Sequence, residues 1–168
     1  MKNFEYPKRK NSRPPTNKGM PHSQIGVEPI PELNAELFRR CFALPDVTNR
    51  PTVISVPGAR ALWLREDLPL VHPEVIARGR EFAHIHPDGS LHVVLPPESA
   101  RQAIEKDWAE LHPIAHYMGH EGMVMLYTPL DLDELDVVFQ LVMESYNYVT
   151  GRSLRPMEVL SGAAIGEQ

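Results

Sequence analysis

The clearest pattern of hydrophobic and polar positions lies near the C-terminal end, in residues 131 to 151. Apolar side chains recur there at alternating spacings of three and four residues, which places them on one face of a helix: Leu132, Leu135, Phe139, Val142, Tyr146 and Val149. Asp131 and Glu134 have the spacing of a capping box, and Gly151 stands where a helix typically ends. The pattern predicts a helix from about Leu132 to Val149 with its apolar face buried against a sheet.

Shorter segments with helix or strand patterns precede this helix. We expect helices at 31–44 and 97–108, hairpins at 52–64 and 80–95, and a strand at 122–127. The predicted order is therefore helix, hairpin, hairpin, helix, strand, helix. Successive antiparallel strands with helices around them are typical of an α+β fold. We predict a two-layer sandwich, with an antiparallel sheet of about five strands and helices packed on one face.

Charge divides the chain unevenly. The net charge is -5, yet the first twenty residues contain six basic side chains against one glutamate and are rich in proline. This composition predicts a disordered arm over 1–20, either a solvated tail or an electrostatic tether, followed by a single domain over 21–152 and a tail over 153–168. Because the remainder is acidic, nucleic acid is not expected as a partner.

Other features of the composition narrow the class of protein further. No apolar run reaches the roughly 20 residues that a membrane-spanning helix needs, so we expect no membrane span. Cys41 is the single cysteine, which precludes an internal disulfide and fits a reducing compartment. We therefore expect a cytoplasmic protein with a small-molecule substrate, and the oligomeric state stays open.

Candidate chemistry is concentrated in EFAHIHPDGSLHVVLPPE, residues 81 to 98. If Ile85 pairs with Leu91 on the core face, His84 falls opposite His92, and His86 lies on the same face. This register requires a loop with an odd number of residues between the strands, because an even loop would turn His92 to the other side. We predict that the three imidazoles converge.

Converging imidazoles allow three interpretations. They can bind a transition metal, they can act as an acid/base pocket, or they can be ordinary polar residues of a half-exposed sheet. A second cluster, HPIAHYMGH, spaces His112, His116 and His120 four residues apart, but Pro113 and Gly119 favour a loop there over a metal-binding helix. Nucleotide-binding, zinc-hydrolase and esterase motifs are absent from the sequence.

Several blocks together resemble the luciferase-domain family, which includes the luciferases of bioluminescent fungi. They are GARALWL at 58–64, REFAHIHPDGSLHVVLPPE at 80–98, DWAELHP at 107–113, GMVMLYTP at 122–129 and SYNYVTG at 145–151. The resemblance covers roughly residues 20 to 152. It implies an oxidoreductase, a monooxygenase that oxidises a hydroxypyrone with molecular oxygen and needs no metal or organic cofactor.

The resemblance also implies a set of pocket residues. His84, His86 and His92 would be catalytic, and the substrate would be bound by Arg80, Trp108, Glu110 and His112. Tyr127 is added as a substrate-binding residue because the pocket needs walls that exclude water. Deprotonation of an enol or phenol by a histidine would make the anion reactive toward oxygen. Two alternatives remain open, namely a non-catalytic module that binds a small molecule and a histidine-based metalloprotein.

Overall fold

The computed structural model describes residues 4–162 and contains a six-stranded antiparallel sheet. Its strands are β3 (Val47–Pro51), β4 (Arg60–Leu64), β5 (Glu81–Ile85), β6 (Leu91–Val94), β7 (Ala109–Leu111) and β8 (Met123–Leu126), in the spatial order β3-β4-β5-β6-β8-β7. Two further short strands, β1 (Thr16–Asn17) and β2 (Ser23–Gln24), pair only with each other. The described chain also contains a short 3-10 helix (Pro73–Val75) and five α-helices: α1 (Pro31–Cys41), α2 (Pro97–Glu105), α3 (Ala115–Met118), α4 (Leu132–Thr150) and α5 (Pro156–Leu160).

Helix α4 matches its prediction closely. The side chain of Asp131 accepts a hydrogen bond from the backbone N–H of Glu134 at 2.8 Å, and Gly151 ends the helix in the left-handed conformation at φ 77°. Most of the predicted face is fully buried, and Leu132, in the first turn, is the exposed exception. Burial of this stripe against β5 and β6, with α1 alongside, forms the main core. The predicted α+β class is confirmed.

The β5–β6 hairpin has the predicted register. Ile85 pairs with Leu91 and His84 with His92, across a five-residue loop from 86 to 90. Gly89 supplies the positive φ of 87° that this loop requires. The alternation of side chains along the two strands therefore turns the apolar residues toward α4 and turns His84 and His92 toward the opposite face.

The first predicted hairpin is displaced. Strand β4 is paired with β3, which precedes the predicted segment, and residues 52–59 form a loop instead of a strand. The carboxylate of Glu81 explains this, because it accepts hydrogen bonds from the hydroxyl of Thr52 and the N–H of Val53, both at 2.8 Å. These two hydrogen bonds hold the start of the 52–59 loop next to β5. Strand β7 was not predicted, since three residues with Glu110 in the middle show no strand pattern.

The predicted disordered arm is packed against the domain. Tyr6 is buried, and the guanidinium of Arg9 forms a buried ion pair with Glu134 at 3.1 Å. Lys8 and Arg13 both pair with Asp107. Four basic residues of this segment, which we call the arm (residues 4–24), thus meet acidic residues of the same chain, a long-range match that local composition cannot reveal. Residues 1–3 lie outside the described part.

The predicted C-terminal tail likewise contains structure. Helix α5 lies within it and buries Val159 against the core. The rest of that segment, 163–168, lies outside the described residues. Within 4–162, no helix combines the length and the hydrophobicity needed to cross a membrane.

Candidate functional site

A pocket of about 500 Å³ opens on the face of the sheet opposite α4. Its floor is formed by β5 and β6. Its walls come from the end of the arm, the 52–59 loop and the segment around α3. Most of the lining is apolar and includes Met20, Ile54, Val56, Val75, Phe82, Ile114, Met118 and Met123. The polar part of the lining is concentrated at Glu81, His22, His84, His92 and His112. The pocket therefore suits a mostly apolar molecule with a polar group directed at the histidines.

Five imidazole rings form one cluster at this floor. They belong to His22, His84, His86, His92 and His112, and neighbouring ring centres lie 4.5 to 5.3 Å apart. His92 lies in the middle, in contact with the other four. Strands β5 and β6 supply His84 and His92, the loop between them supplies His86, the arm supplies His22, and the chain after β7 supplies His112. The cluster is buried except at His92, which is half-buried and faces the pocket.

Three of the rings form a chain between two carboxylates. Nδ1 of His84 lies 2.9 Å from Oε2 of Glu81, at ion-pair distance although off the line of an ideal hydrogen bond. Nε2 of His84 lies 3.0 Å from Nδ1 of His92, and Nε2 of His92 lies 3.1 Å from Nδ1 of His22. Nε2 of His22 lies 2.8 Å from Oε2 of Glu110. Four contacts therefore join five side chains, and we call this series the imidazole chain.

The imidazole chain lacks one proton when its rings are neutral. Each of the four contacts needs one proton to be attractive, because an ionised carboxylate or an imidazole lone pair can only accept. Three neutral imidazoles carry three protons in total. The two end contacts hold a proton on Nδ1 of His84 and on Nε2 of His22, so His92 can complete only one of the two central contacts. One additional proton, or another cation placed between two facing lone pairs, would make all four contacts attractive.

Burial keeps three rings of the cluster, those of His86, His92 and His112, neutral. It is the main reason why the pKa of His92 lies well below its ordinary value, with the nearby imidazoles of His86 and His84 adding to the effect. Burial likewise lowers the pKa of His86 and that of His112 to about 4. Near pH 7 these rings are therefore uncharged and able to accept protons.

The carboxylates at the two ends of the chain remain ionised. Burial by itself raises the pKa of Glu81, but hydrogen bonds from His84, Val53 and Thr52 outweigh it and leave that pKa below its usual value. The same balance holds for the pKa of Glu110, where Lys18 and His22 are the strongest of the opposing partners. Two negative groups therefore flank the three rings of the imidazole chain, which favours uptake of a positive charge between them.

Two trios within the cluster have the spacing of metal ligands. A ring nitrogen from each of His84, His86 and His92 lies within 4.8 Å of the others, and the same holds for His22, His92 and His112. These are the residues that could hold a transition-metal ion, since neutral imidazole is a common ligand for zinc, copper and iron.

The structure distributes the sequence-predicted site residues over two layers. His84, His92 and His112 line the pocket. His86 lies behind them, with Nδ1 2.8 Å from the hydroxyl of Ser90. Glu110 and Tyr127 also lie behind the lining, where the hydroxyl of Tyr127 donates to Oε1 of Glu110 at 3.0 Å. These two residues support His22 and do not face the pocket.

Arg80 and Trp108 are placed elsewhere, contrary to the expectation that they contact substrate. The guanidinium of Arg80 donates to the carbonyl oxygens of Arg65 and Leu68 and so holds the loop after β4. The indole N–H of Trp108 donates to the carbonyl of Pro7 at 2.7 Å, which fixes the arm. Neither residue lines the pocket, because both side chains are bound to backbone carbonyls elsewhere. In the second predicted cluster His112 joins the site, whereas His116 points into solvent from α3.

Two residues of the imidazole chain were not predicted from the sequence. His22 lies in a segment with no periodic pattern, and its position depends on contacts with Glu110 and His92 far along the chain. Glu81 begins β5 and would be expected to face solvent on an ordinary strand. A β-bulge between Leu62 and Trp63 shifts the register at this point, so that Glu81 pairs with Trp63 and its side chain is buried.

Comparisons with known proteins agree with the resemblance found in the sequence. Residues 79–145, which run from β5 into α4, match the Luciferase domain family. The chain is 26% identical over 166 residues to a luciferase of Armillaria gallica, a match that covers 87% of this chain and 62% of that protein. A luciferase of Armillaria mellea is 27% identical over 165 residues, with the same shares covered. A luciferase of Neonothopanus nambi is 30% identical over 105 residues, covering 55% of this chain and 39% of that protein.

The chain thus spans 62% of the length of the Armillaria relatives. No solved structure matches it at a significant level. The family match includes four of the five clustered histidines, and His22 lies outside it.

Proposed function

We propose that the chain is a luciferase-like monooxygenase, because residues 79–145 match the Luciferase domain family. Its substrate class would be an electron-rich enol or phenol such as a hydroxypyrone, and molecular oxygen would be the second substrate. The reaction would need no metal or organic cofactor. The pocket supports this proposal, since its volume falls within the range of about 300–1,000 Å³ that is common for small-molecule sites.

The observation that carries the proposal is the series of four contacts between Glu81 and Glu110, which three neutral rings leave one proton short. A hydroxyl group of the substrate at the pocket floor would reach His84 or His92, both of which line the pocket. Transfer of its proton to a ring nitrogen would supply the fourth proton and complete the contacts between Glu81 and Glu110. The chain therefore favours deprotonation of the substrate, because the added proton is shared by groups that already lie at hydrogen-bonding distance.

The anion formed in this step would be oxidised by oxygen. The O–H bond breaks, its proton goes to the imidazole, and its electron pair stays on the substrate. This electron-rich anion gives electrons to oxygen, and a carbon–oxygen bond forms to yield a substrate peroxide. The positive charge left on the imidazole chain offsets the negative charge that develops, and the apolar walls exclude water that would weaken this attraction.

Oxygen consumption with a defined probe tests the proposal. Purified protein would be mixed with a 4-hydroxy-2-pyrone bearing an aromatic substituent, and dissolved oxygen would be followed with an electrode. We expect saturable consumption that falls by about 10²- to 10⁴-fold in His84→Gln and His92→Gln, because glutamine forms hydrogen bonds but cannot take up the proton. His116→Gln, at an exposed histidine, is the matched control and should keep the wild-type rate.

Two outcomes would contradict the proposal in different ways. If the probe binds and no oxygen is consumed, the pocket is a binding module without catalysis. If both variants turn over at the wild-type rate, the histidines have a structural role only.

A further inference from the structure

The β5–β6 hairpin carries three imidazoles, each with its outward ring nitrogen close to a polar partner. For His84 the outward nitrogen is Nδ1, which lies against the carboxylate of Glu81 at 2.9 Å. A nitrogen next to an ionised carboxylate carries its proton, so Nε2 of His84 holds a lone pair. That lone pair is directed at His92.

The tautomer of His86 follows from its partner in the β5–β6 loop. The hydroxyl of Ser90 donates to Oδ1 of Asp88 at 2.6 Å. Its oxygen can therefore only accept from Nδ1 of His86, which lies 2.8 Å away. Nδ1 carries the proton, and Nε2 of His86 is left with a lone pair.

The tautomer of His92 is set through His22. Nε2 of His22 donates to Glu110, so Nδ1 of His22 is a lone pair that accepts from Nε2 of His92. With its proton on Nε2, His92 also presents a lone pair at Nδ1. Three lone pairs are thus available among His84, His86 and His92, and the other nitrogen of each ring lies within 3.1 Å of an acceptor. Histidines that bind metals show this arrangement, because the outer hydrogen bond fixes the ring and raises its basicity.

We propose that His84, His86 and His92 form a binding site for one divalent transition-metal ion of the zinc class. Neutral imidazoles favour zinc, copper, nickel or iron over calcium or magnesium. Metal–nitrogen bonds of about 2.05 Å that span the 3.0 Å between His84 and His92 would subtend about 94° at the metal. That angle suits five or six ligands, and a tetrahedral ion would require the two nitrogens to separate by about 0.3 Å more. The remaining positions would be filled from the pocket.

The second trio is a poorer site. Nδ1 of His112 accepts a hydrogen bond from the backbone N–H of Ile114 at 3.2 Å. A neutral His112 therefore carries its proton on Nε2, and neither nitrogen offers a free lone pair to a metal. Removal of His112 should for this reason have little effect on metal affinity, which separates the two trios experimentally.

A metal ion bound to His84 and His92 would occupy the position of the additional proton that completes the contacts of the imidazole chain. Proton and metal compete for the same lone pairs of His84 and His92, so a bound metal would inhibit the oxidation proposed above. This consequence rests on the proposed function, whereas the site itself rests only on the arrangement of the three rings and their partners.

Metal titration of the full chain tests the site without any substrate. Protein stripped with a chelator would be titrated with Co²⁺, followed by visible absorption, and with Zn²⁺, followed by calorimetry. We expect one equivalent of each metal. Affinity should fall at least about 100-fold in His84→Gln and in His86→Gln, and about 10- to 100-fold in Glu81→Gln, which removes only the outer partner. His112→Gln should stay within about threefold of wild type, and His116→Gln, at an exposed ring, should be unchanged.

Nitrogen-15 NMR of histidine-labelled wild-type protein gives a readout that does not depend on the folding of a variant. Zinc should shift one ring nitrogen in each of His84, His86 and His92 and leave the ring of His112 unligated. Failure to bind one equivalent, or binding that requires His112 and tolerates loss of His86, would overturn the inference.

The same titrations distinguish this inference from the proposed function. Oxygen consumption by stripped protein that is suppressed by one equivalent of zinc supports both. If oxygen is consumed at a rate that no metal affects, and no metal binds, the metal site is rejected and the proposed function is retained. Consumption that appears only after a metal is added keeps the site and rejects the cofactor-free mechanism.

Discussion

Nδ1 of His22 lies 3.1 Å from Nε2 of His92, although 70 positions separate the two residues in the chain. The arm thereby supplies the last ring of the imidazole chain. We predict that His22→Gln lowers kcat/KM by about 10- to 100-fold, since the proton could no longer be shared as far as Glu110. Adding His22→Gln to His84→Gln should cause little further loss, because residues that act as a unit are not additive. If the loss of kcat/KM in the double variant equals the product of the two single losses, the two rings act independently.

Phe139 lies at the centre of the buried stripe of α4 and is 1% exposed. Phe139→Ala should reduce the free energy of unfolding by about 3–5 kcal/mol, from lost burial and the cavity left behind. Denaturant unfolding measures this value. Met157→Ala, at a side chain that is 81% exposed, is the control and should change stability by less than about 0.5 kcal/mol. Equal stability of the two variants would show that α4 does not pack as described.

The ion pair between Arg9 and Glu134 fixes the arm to the start of α4 and is almost fully buried on both sides. Arg9→Ala should cost about 3–5 kcal/mol, because the carboxylate of Glu134 would remain buried without its charged partner. Lys10→Ala, at the exposed neighbouring position, should be close to neutral. A disordered arm would make both substitutions neutral, so urea denaturation of the two variants decides between a packed and a disordered arm.

Cys41 is buried at the end of α1, and burial raises the pKa of its thiol to about 12. Only the thiolate reacts with alkylating reagents, so the native thiol should remain protonated and unreactive up to about pH 9. Iodoacetamide at pH 8 should modify the unfolded chain completely and the native chain negligibly, as measured by intact mass. Rapid modification of the native protein would place Cys41 outside the core.

The parts of the structure that could be predicted from the sequence are those fixed by local pattern. The period of α4 and its caps determine where that helix begins and ends. In the β5–β6 hairpin, the pairing of Ile85 with Leu91 and the glycine-containing loop determine which face His84 and His92 share. Both elements carry their information within about twenty residues, and both are observed as predicted.

The remaining features depend on contacts between distant segments. The arm has the composition of a disordered tail, and it is ordered by acidic partners at Asp107, Glu110 and Glu134. The burial of Glu81 depends on a bulge that no local signal indicates, and the 52–59 loop follows from that burial. Arg80 and Trp108 are bound to backbone carbonyls that only the folded chain brings near them. Three of the five side chains of the imidazole chain, His84, His92 and Glu110, were therefore named from the sequence, whereas Glu81 and His22 were not.

Oxygen consumption by rigorously metal-free protein tests the central claim most directly. The stripped chain would be given the aryl-substituted 4-hydroxy-2-pyrone in chelator-treated buffer, and its rate compared with that of equally stripped His92→Gln. The imidazole chain should act as the proton acceptor by itself, so the wild-type protein should consume oxygen in proportion to enzyme concentration while the variant falls about 10²- to 10⁴-fold. A stripped wild-type protein that consumes no oxygen until one equivalent of zinc, iron or copper is added would contradict this account.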